Sequence, residues 1–383
     1  MSKDTAPGGL EMPFKIIDSG RGAPQAPNRI RLPNLNQKFV TGHVDTAVGK
    51  VPRVSAGLTR EDHWGTFKAR WGVGRMRYTV EPGLYALGRP DAQAPVLVTA
   101  NYKMSFDRLR EALGGRDAWI LVLDTQGINV WCAAGKGTFG TQELVRRLRS
   151  SGLAEIVSHR RLILPQLAGP GVAAHAVQNS SGFTVVFGPI RAKDLPYFLD
   201  NGLSARPEMR QKTFDLKERV VLIPVELVEA LKAAVIIIPI MFLAGGLGGR
   251  PGFWVDVWDA GLFAAVALFA AILTGSAGVP ILLPWLPGRA FSTKGFFLGL
   301  LAAAVLILWR GFYMMAPVNW VELAAWFFLV PAVTAYLAMN FTGASTYTSL
   351  SGVKKEMRWA VPLEIAAGAA GLGLWIGSRF YPN

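Results

Sequence analysis

Five long apolar stretches in the second half of the chain decide most of what it can fold into. They are Ala233–Leu247 (extended upstream by Val225–Leu231), Val257–Thr274, Gly295–Leu308, Val321–Met339 and Ala360–Ile376. Each reaches or approaches the roughly 20 residues that cross a bilayer, and Gly-Gly, proline and charged residues separate them. A further piece, Val279–Leu286, is too short to span alone and carries Pro280 and Pro284, with Pro287 just beyond. It is expected to lie at an interface or to extend the second helix. Residues 216–383 are therefore expected to form an all-α transmembrane bundle of five helices.

Charge is distributed accordingly. Residues 1–220 hold 31 Lys and Arg against 19 Asp and Glu, whereas residues 221–383 hold 9 against 7. A basic excess beside a membrane points to anionic lipid headgroups. The basic residues are scattered and no nucleic-acid motif accompanies them, which argues against nucleic acid as a partner. Short-loop Lys and Arg set orientation. Lys212, Lys217, Arg219, Arg289, Lys294, Lys354, Lys355 and Arg358 fall on one side, and Arg250, Arg310 and Arg379 on the other. The expectation is a multi-pass protein of the cytoplasmic (inner) membrane with its N-terminal domain in the cytoplasm. No apolar run precedes about residue 95, so no signal peptide is expected. Glu226, Glu229, Lys232, Glu322 and Glu364 are all read as lying near span ends, which argues against a transport pathway.

Residues 1–55 are polar and rich in Pro, Gly and Asn, and read as an extended lead-in. Residues 56–215 read as an α/β domain. Alternation in Phe67–Trp71 and Met76–Val80 predicts two strands. Strands are then predicted at Val96–Thr99, Trp119–Leu123, Leu162–Leu164 and Thr184–Phe187. Helices are predicted at Ser105–Leu113, Val130–Ser150 and Leu195–Asn201. Buried strands alternating with helices indicate a Rossmann-like parallel sheet. Its ligand belongs beyond the strands' carboxyl ends, among the loops after Val98, Leu123, Leu164 and Phe187. Thr99, Asn101, Gly169 and Gly171 are candidate ligand contacts on that ground.

The loop after Leu123 carries Cys132, the one cysteine of the sequence, which can build neither an internal disulfide nor a cysteine cluster. Asn129 is a suitable N-cap, which puts Cys132 in a helix's first turn, where the positive helix end favours thiolate. Lys136 follows at i+4 on the same face, and Ala133, Ala134, Gly135 and Gly137 keep the surroundings small. A lone cysteine is equally compatible with a small buried hydrophobe, and the residues alone leave both open. Two phosphate motifs fail. A P-loop would need Gly at Val130 and Ser or Thr at Gly137, and Gly72-Val-Gly74 runs on to Arg77 where a dinucleotide fingerprint needs Gly. His43, His63, His159 and His175 show no metal-ligand spacing.

The segment Asn129-Val130-Trp131-Cys132-Ala133-Ala134-Gly135-Lys136 resembles the cap-helix signature of the mercury-methylating corrinoid protein family (HgcA) at all eight positions. Pro82–Ala86, Leu164–Gly169, Phe187–Arg191, Asn340–Gly343 and Ser351–Lys355 are also family-like, so the resemblance covers about residues 60–380. It implies a corrinoid-binding domain similar to that of the corrinoid iron–sulfur protein of the acetyl-CoA pathway. It also implies a cobalt whose lower axial ligand is the Cys132 thiolate, with Asn129 as the cap that orients the turn, Trp131, Ala133, Ala134, Gly135 and Lys136 shaping the cap helix against the ring, and Val130 among the cofactor-binding residues. The histidine signature Asp-x-His-x-x-Gly of other cobalamin proteins is absent, in keeping with sulfur under the cobalt. The implied activity is methyl transfer from cobalt to Hg(II), forming methylmercury. The implied partners are a separate ferredoxin-like [4Fe-4S] electron donor and a methyl donor, either a protein or a methylated folate. A corrinoid methyl carrier with another acceptor and a non-catalytic membrane corrinoid or redox sensor are the alternatives.

Overall fold

Two wholly buried strands, Val96–Ala100 and Ala118–Leu123, lie side by side in the middle of a seven-stranded sheet. The structure is a computed structural model, and it describes residues 30–248, 252–313, 320–342, 345 and 350–380. In chain order the strands are β1 (Val40–Thr46), β2 (Gly49–Val54), β3 (Gly83–Leu87), β4 (Val96–Ala100), β5 (Ala118–Leu123), β6 (Arg161–Leu164) and β7 (Thr184–Phe187). The helices of this domain are α1 (Arg60–Arg70), α2 (Lys103–Ala112), α3 (Val130–Lys136), α4 (Thr141–Ser151), α5 (Ala174–Ser181) and α6 (Leu195–Asp200).

The sheet order is β1-β2-β3-β5-β4-β6-β7. Strands β5, β4, β6 and β7 run parallel, β3 runs antiparallel to β5, and β1 pairs antiparallel with β2. The α/β class holds, but the sheet is mixed rather than parallel throughout. Side chains of a strand alternate between faces, so the central strands feed two cores. Leu84, Val98, Leu121 and Leu123 pack with α3, α4 and α5. Tyr85, Leu97, Ile120 and Val122 pack with Phe106 of α2 and Phe198 of α6. Each fully buried residue of this kind contributes about 1.5–3 kcal/mol relative to exposure.

Four predicted elements are corrected. The lead-in expected over 1–55 contains the β1–β2 hairpin, with Val51 and Val54 buried; residues 1–29 lie outside the described residues. Phe67–Trp71 is no strand. Thr59 and Asp62 close a capping box that starts α1, and Trp64, Phe67 and Trp71 recur at helical spacing with adjacent rings in contact. Met76–Val80 is no strand either: it begins in a 3-10 turn at Arg75–Arg77 and continues to an isolated bridge between Thr79 and Tyr102. The helix predicted over Val130–Ser150 is two helices, because Gly137 takes φ +81° and ends α3 after seven residues. That conformation suits glycine, and α4 restarts at Thr141.

Among the described residues, five helices long and apolar enough to cross a membrane follow: Leu216–Ala244, Phe253–Leu282, Phe291–Phe312, Trp320–Met339 and Ser351–Ser378. Val279–Leu282 continues the second of them past a π-helical turn at Thr274–Gly278. Arg310 and Arg379 both pair with the buried Glu322, at 3.2 and 2.7 Å, and Arg310 also reaches Asp259 at 3.1 Å. Lys294 is buried and donates to the carbonyls of Leu283 and Leu286. Arg250 and Gly343 lie outside the described residues. Glu364 is not near a span end, as the apolar run from Ala360 suggested, but halfway along the fifth helix. Its carboxyl oxygens are buried without a hydrogen-bond partner among the described residues.

Candidate functional site

Strand β4 sits between β5 and β6, yet the chain passes from β4 to β5 and only then to β6 on β4's other side. Connections leaving β4 and β6 therefore diverge, and such a divergence opens a crevice at the carboxyl edge of the sheet. A cavity of about 400 Å³ occupies that place. It takes in Thr99 at the end of β4, Asn129, Val130 and Trp131 at the start of α3, and Pro165 and Leu167 beyond β6. The four predicted loops contribute unequally, and the cavity also runs down the sheet face covered by α2.

The start of α3 is fixed by two asparagines. Asn129 stands at the N-cap, and its Oδ1 accepts the backbone N–H of Cys132 at 3.0 Å. This satisfies one of the first-turn donors that a helix leaves unpaired. Asn101 is buried just past β4. Its Oδ1 accepts the N–H of Thr125 at 3.1 Å, the Thr125 hydroxyl at 2.8 Å and the N–H of Gly127 at 3.0 Å. The loop that delivers α3 is thereby tied to the end of β4. Asn101 thus holds the loop in position, and it is not among the residues that line the cavity.

Cys132 is exposed at the head of α3, next to the lining residue Trp131 but not itself part of the cavity wall. Among its signature neighbours the two alanines turn inward: Ala133 and Ala134 are buried in the core against the sheet. Gly135 and Lys136 are exposed, and a Cβ added at Gly135 would meet nothing within 4 Å. The outer face of α3 is thus Cys132, Gly135 and Lys136, a low surface beside the cavity mouth. At seven residues α3 gives less electrostatic support than the long helix predicted here. Gly171 backs this helix from behind. A Cβ there would come within 2.2 Å of the Phe139 carbonyl oxygen and 3.0 Å of the Ala134 Cα. Gly171 is a close-packing position, and neither it nor Gly169 is among the residues that line the cavity.

The sequence reading missed the basic wall of the cavity. Arg70, Arg75 and Arg108 line it with Tyr102, and so do Val221 and Leu222 at the root of the first span. Arg70 lies in a segment misread as a strand and Arg75 in the connection to the next, and only the local density of arginine between Arg70 and Arg77 signalled them. Among the described residues no group of three or more His, Cys, Asp or Glu could hold a metal ion. A metal whose other ligands come from a macrocycle needs a single protein donor, and an exposed thiol on a low helix face fits that demand.

Residues 74–199 match the family described as the CO dehydrogenase/acetyl-CoA synthase delta subunit. The segment contains the sheet from β3 onward and nearly all of the cavity. The gamma subunit of the acetyl-CoA decarbonylase/synthase complex from Methanopyrus kandleri is 33% identical over 124 residues, 32% of this chain and 26% of the relative. The subunit of the same name from Methanocaldococcus jannaschii is 32% identical over 129 residues, 33% of this chain and 26% of the relative. The chain spans about a quarter of the length of the curated relatives it matches. The hairpin β1–β2, helix α1 and the five apolar helices fall outside the matched segment.

Proposed function

We propose that this chain is a membrane-anchored corrinoid protein that transfers a methyl group to Hg(II), with the Cys132 thiolate as the protein's ligand to cobalt. The observation that carries this reading is the exposed Cys132, capped by Asn129 at the carboxyl edge of the sheet, beside an open cavity and inside the matched segment. The eight-residue resemblance around it points the same way, and relatives named for an acetyl-CoA decarbonylase/synthase complex support the corrinoid part of the reading alone.

The residues fit a flat, wide group. Asn129 accepts the Cys132 backbone N–H, and Asn101 ties down the loop that leads into α3, so the sulfur starts from a fixed position. Gly135 leaves the helix face low enough for a ring to approach. The apolar cavity walls at Leu97, Ile163 and Ile190 shelter an appended group from water. When bound, the corrinoid supplies a cobalt that takes up and releases the methyl group, and a soft sulfur ligand favours release toward a soft acceptor. Cys132 itself remains the donor atom throughout and transfers no proton. A sequence with one cysteine ligates no iron–sulfur cluster of its own, so a ferredoxin-like partner supplies reducing electrons. The five helices hold the domain at the cytoplasmic face of the membrane, with basic loops inward.

A second reading keeps the cofactor and changes the acceptor: a methyl carrier of one-carbon metabolism. The names of the relatives favour it, since they belong to acetyl-CoA synthesis and cleavage. The test is methyl transfer by the reduced, methylated protein, offered Hg(II) or a thiol acceptor in parallel. Methylmercury formed faster than the thioether supports the mercury reading. Transfer to the thiol with none to Hg(II) replaces it with the carrier reading.

A further inference from the structure

We propose that Arg70, Arg75, Arg108 and the hydroxyl of Tyr102 form a phosphodiester-binding site inside the cavity. The inference rests on the function proposed above where the phosphodiester belongs to a nucleotide tail on the corrinoid. A phospholipid headgroup is the other source of the same chemistry, because Val221 and Leu222, at the root of the first span, line the same cavity.

Three guanidinium groups on one cavity wall repel one another unless something anionic joins them. Two have partial compensation. Arg108 pairs with Glu111 at 2.7 Å, and Arg75 feels Glu226 while its Nη1 reaches the Ala69 carbonyl at 3.5 Å. Arg70 has no ion pair among the described residues. Burial first, and then the charges of Arg108 and Arg75, push its pKa down. Beside them Tyr102 is 5% exposed and its hydroxyl has no hydrogen-bond partner among the described residues. A buried hydroxyl without a partner costs about 1–3 kcal/mol, a cost that a ligand oxygen removes. Burial also raises the pKa of Tyr102, so the hydroxyl keeps its proton and is available to donate. Arginine forks match the oxygens of a phosphodiester, and charge-assisted hydrogen bonds of this kind are the strong ones.

The test uses the full chain in detergent and two probes, cobalamin, which carries a nucleotide phosphodiester tail, and cobinamide, which has the same ring without it. Dissociation constants are read from the corrin absorption spectrum, and co-purifying phospholipid is counted by mass spectrometry. Wild type should bind cobalamin about tenfold or more tighter than cobinamide. Arg70→Gln and Tyr102→Phe should abolish that preference and leave cobinamide binding, which also reports folding, unchanged. If both corrinoids bind equally and Arg70→Gln instead lowers the phospholipid count, the site stands with a lipid headgroup as its occupant. If neither the preference nor the lipid count responds to Arg70 and Tyr102, the site is overturned. Failure of both corrinoids to bind would sink the corrinoid function separately, and the lipid count would still decide the site.

Discussion

Asn129 Oδ1 accepts the backbone N–H of Cys132 at 3.0 Å, so the residue that starts α3 also fixes the residue proposed to hold the metal. Asn129→Ala should cost about 1 kcal/mol of stability, as N-cap losses do, and weaken corrinoid binding. Asn129→Asp, which keeps the acceptor, should restore both. Thermal unfolding and corrinoid titration of the two variants check this; equal behaviour of Ala and Asp would contradict it.

Two glycines of the same region should respond in opposite ways. A methyl at Gly171 runs into the backbone of Phe139 and Ala134, so Gly171→Ala should destabilise by about 1–3 kcal/mol and displace α3. At Gly135 the same methyl meets open space, and Gly135→Ala should stabilise the cofactor-free protein by up to about 1 kcal/mol. Gly135→Trp should leave stability little changed yet block the corrinoid. Melting temperatures with and without cobinamide separate these cases.

Acid should loosen α1 from α2. Asp62 is buried between Lys103 Nζ at 2.6 Å and Arg110 Nη2 at 2.7 Å, with Asp107 completing the cluster. Burial alone would raise its pKa. Hydrogen bonds and charge from Lys103, the Thr59 backbone and Arg110 outweigh burial and hold the carboxyl well below its ordinary value of 3.8. A depressed folded-state pKa contributes stability that is complete above the unfolded value and is lost as pH falls below it. Asp62→Asn should therefore cost about 3–5 kcal/mol near neutrality, and the gap to wild type should shrink below about pH 3.9. A gap that stayed constant with pH would show that the Asp62 charge contributes nothing.

Glu364 is an expense to the bundle. Its carboxyl oxygens find no partner among the described residues, and the side chain borders an apolar cavity of about 530 Å³. Burying such a group uncompensated is unfavourable, so Glu364→Leu should raise the melting temperature in detergent. A lower melting temperature would mean that the carboxyl has a favourable role in the folded bundle.

How much of this was legible in the sequence depended on whether local pattern or distant partners decided each element. The runs Val96–Ala100 and Ala118–Leu123 announce buried strands by composition, and the five apolar stretches announce their helices. The cap at Asn129 was also visible, because side-chain capping is local. In Phe67–Trp71 alternation misled, since Trp64, Phe67 and Trp71 also fit a helical stripe and the capping box at Thr59 and Asp62 settles the choice. The split after α3 turns on Gly137, which a periodicity count passes over. Asn101, Gly171 and the three arginines owe their roles to contacts across elements, which no window of sequence displays. Glu364 moved to mid-span because the fifth helix begins well before the apolar run does.

The most direct test of the central claim is the absorption spectrum of the oxidised corrinoid bound to wild type, Cys132→Ala and Cys132→His. Sulfur coordination predicts a wild-type spectrum distinct from that of the free corrinoid. It should shift to a water-ligated form in Cys132→Ala and to a nitrogen-ligated form in Cys132→His, with methyl transfer lost in the alanine variant. Three identical spectra, with corrinoid bound and methyl transfer intact in each, would contradict the assignment of Cys132 as the cobalt ligand.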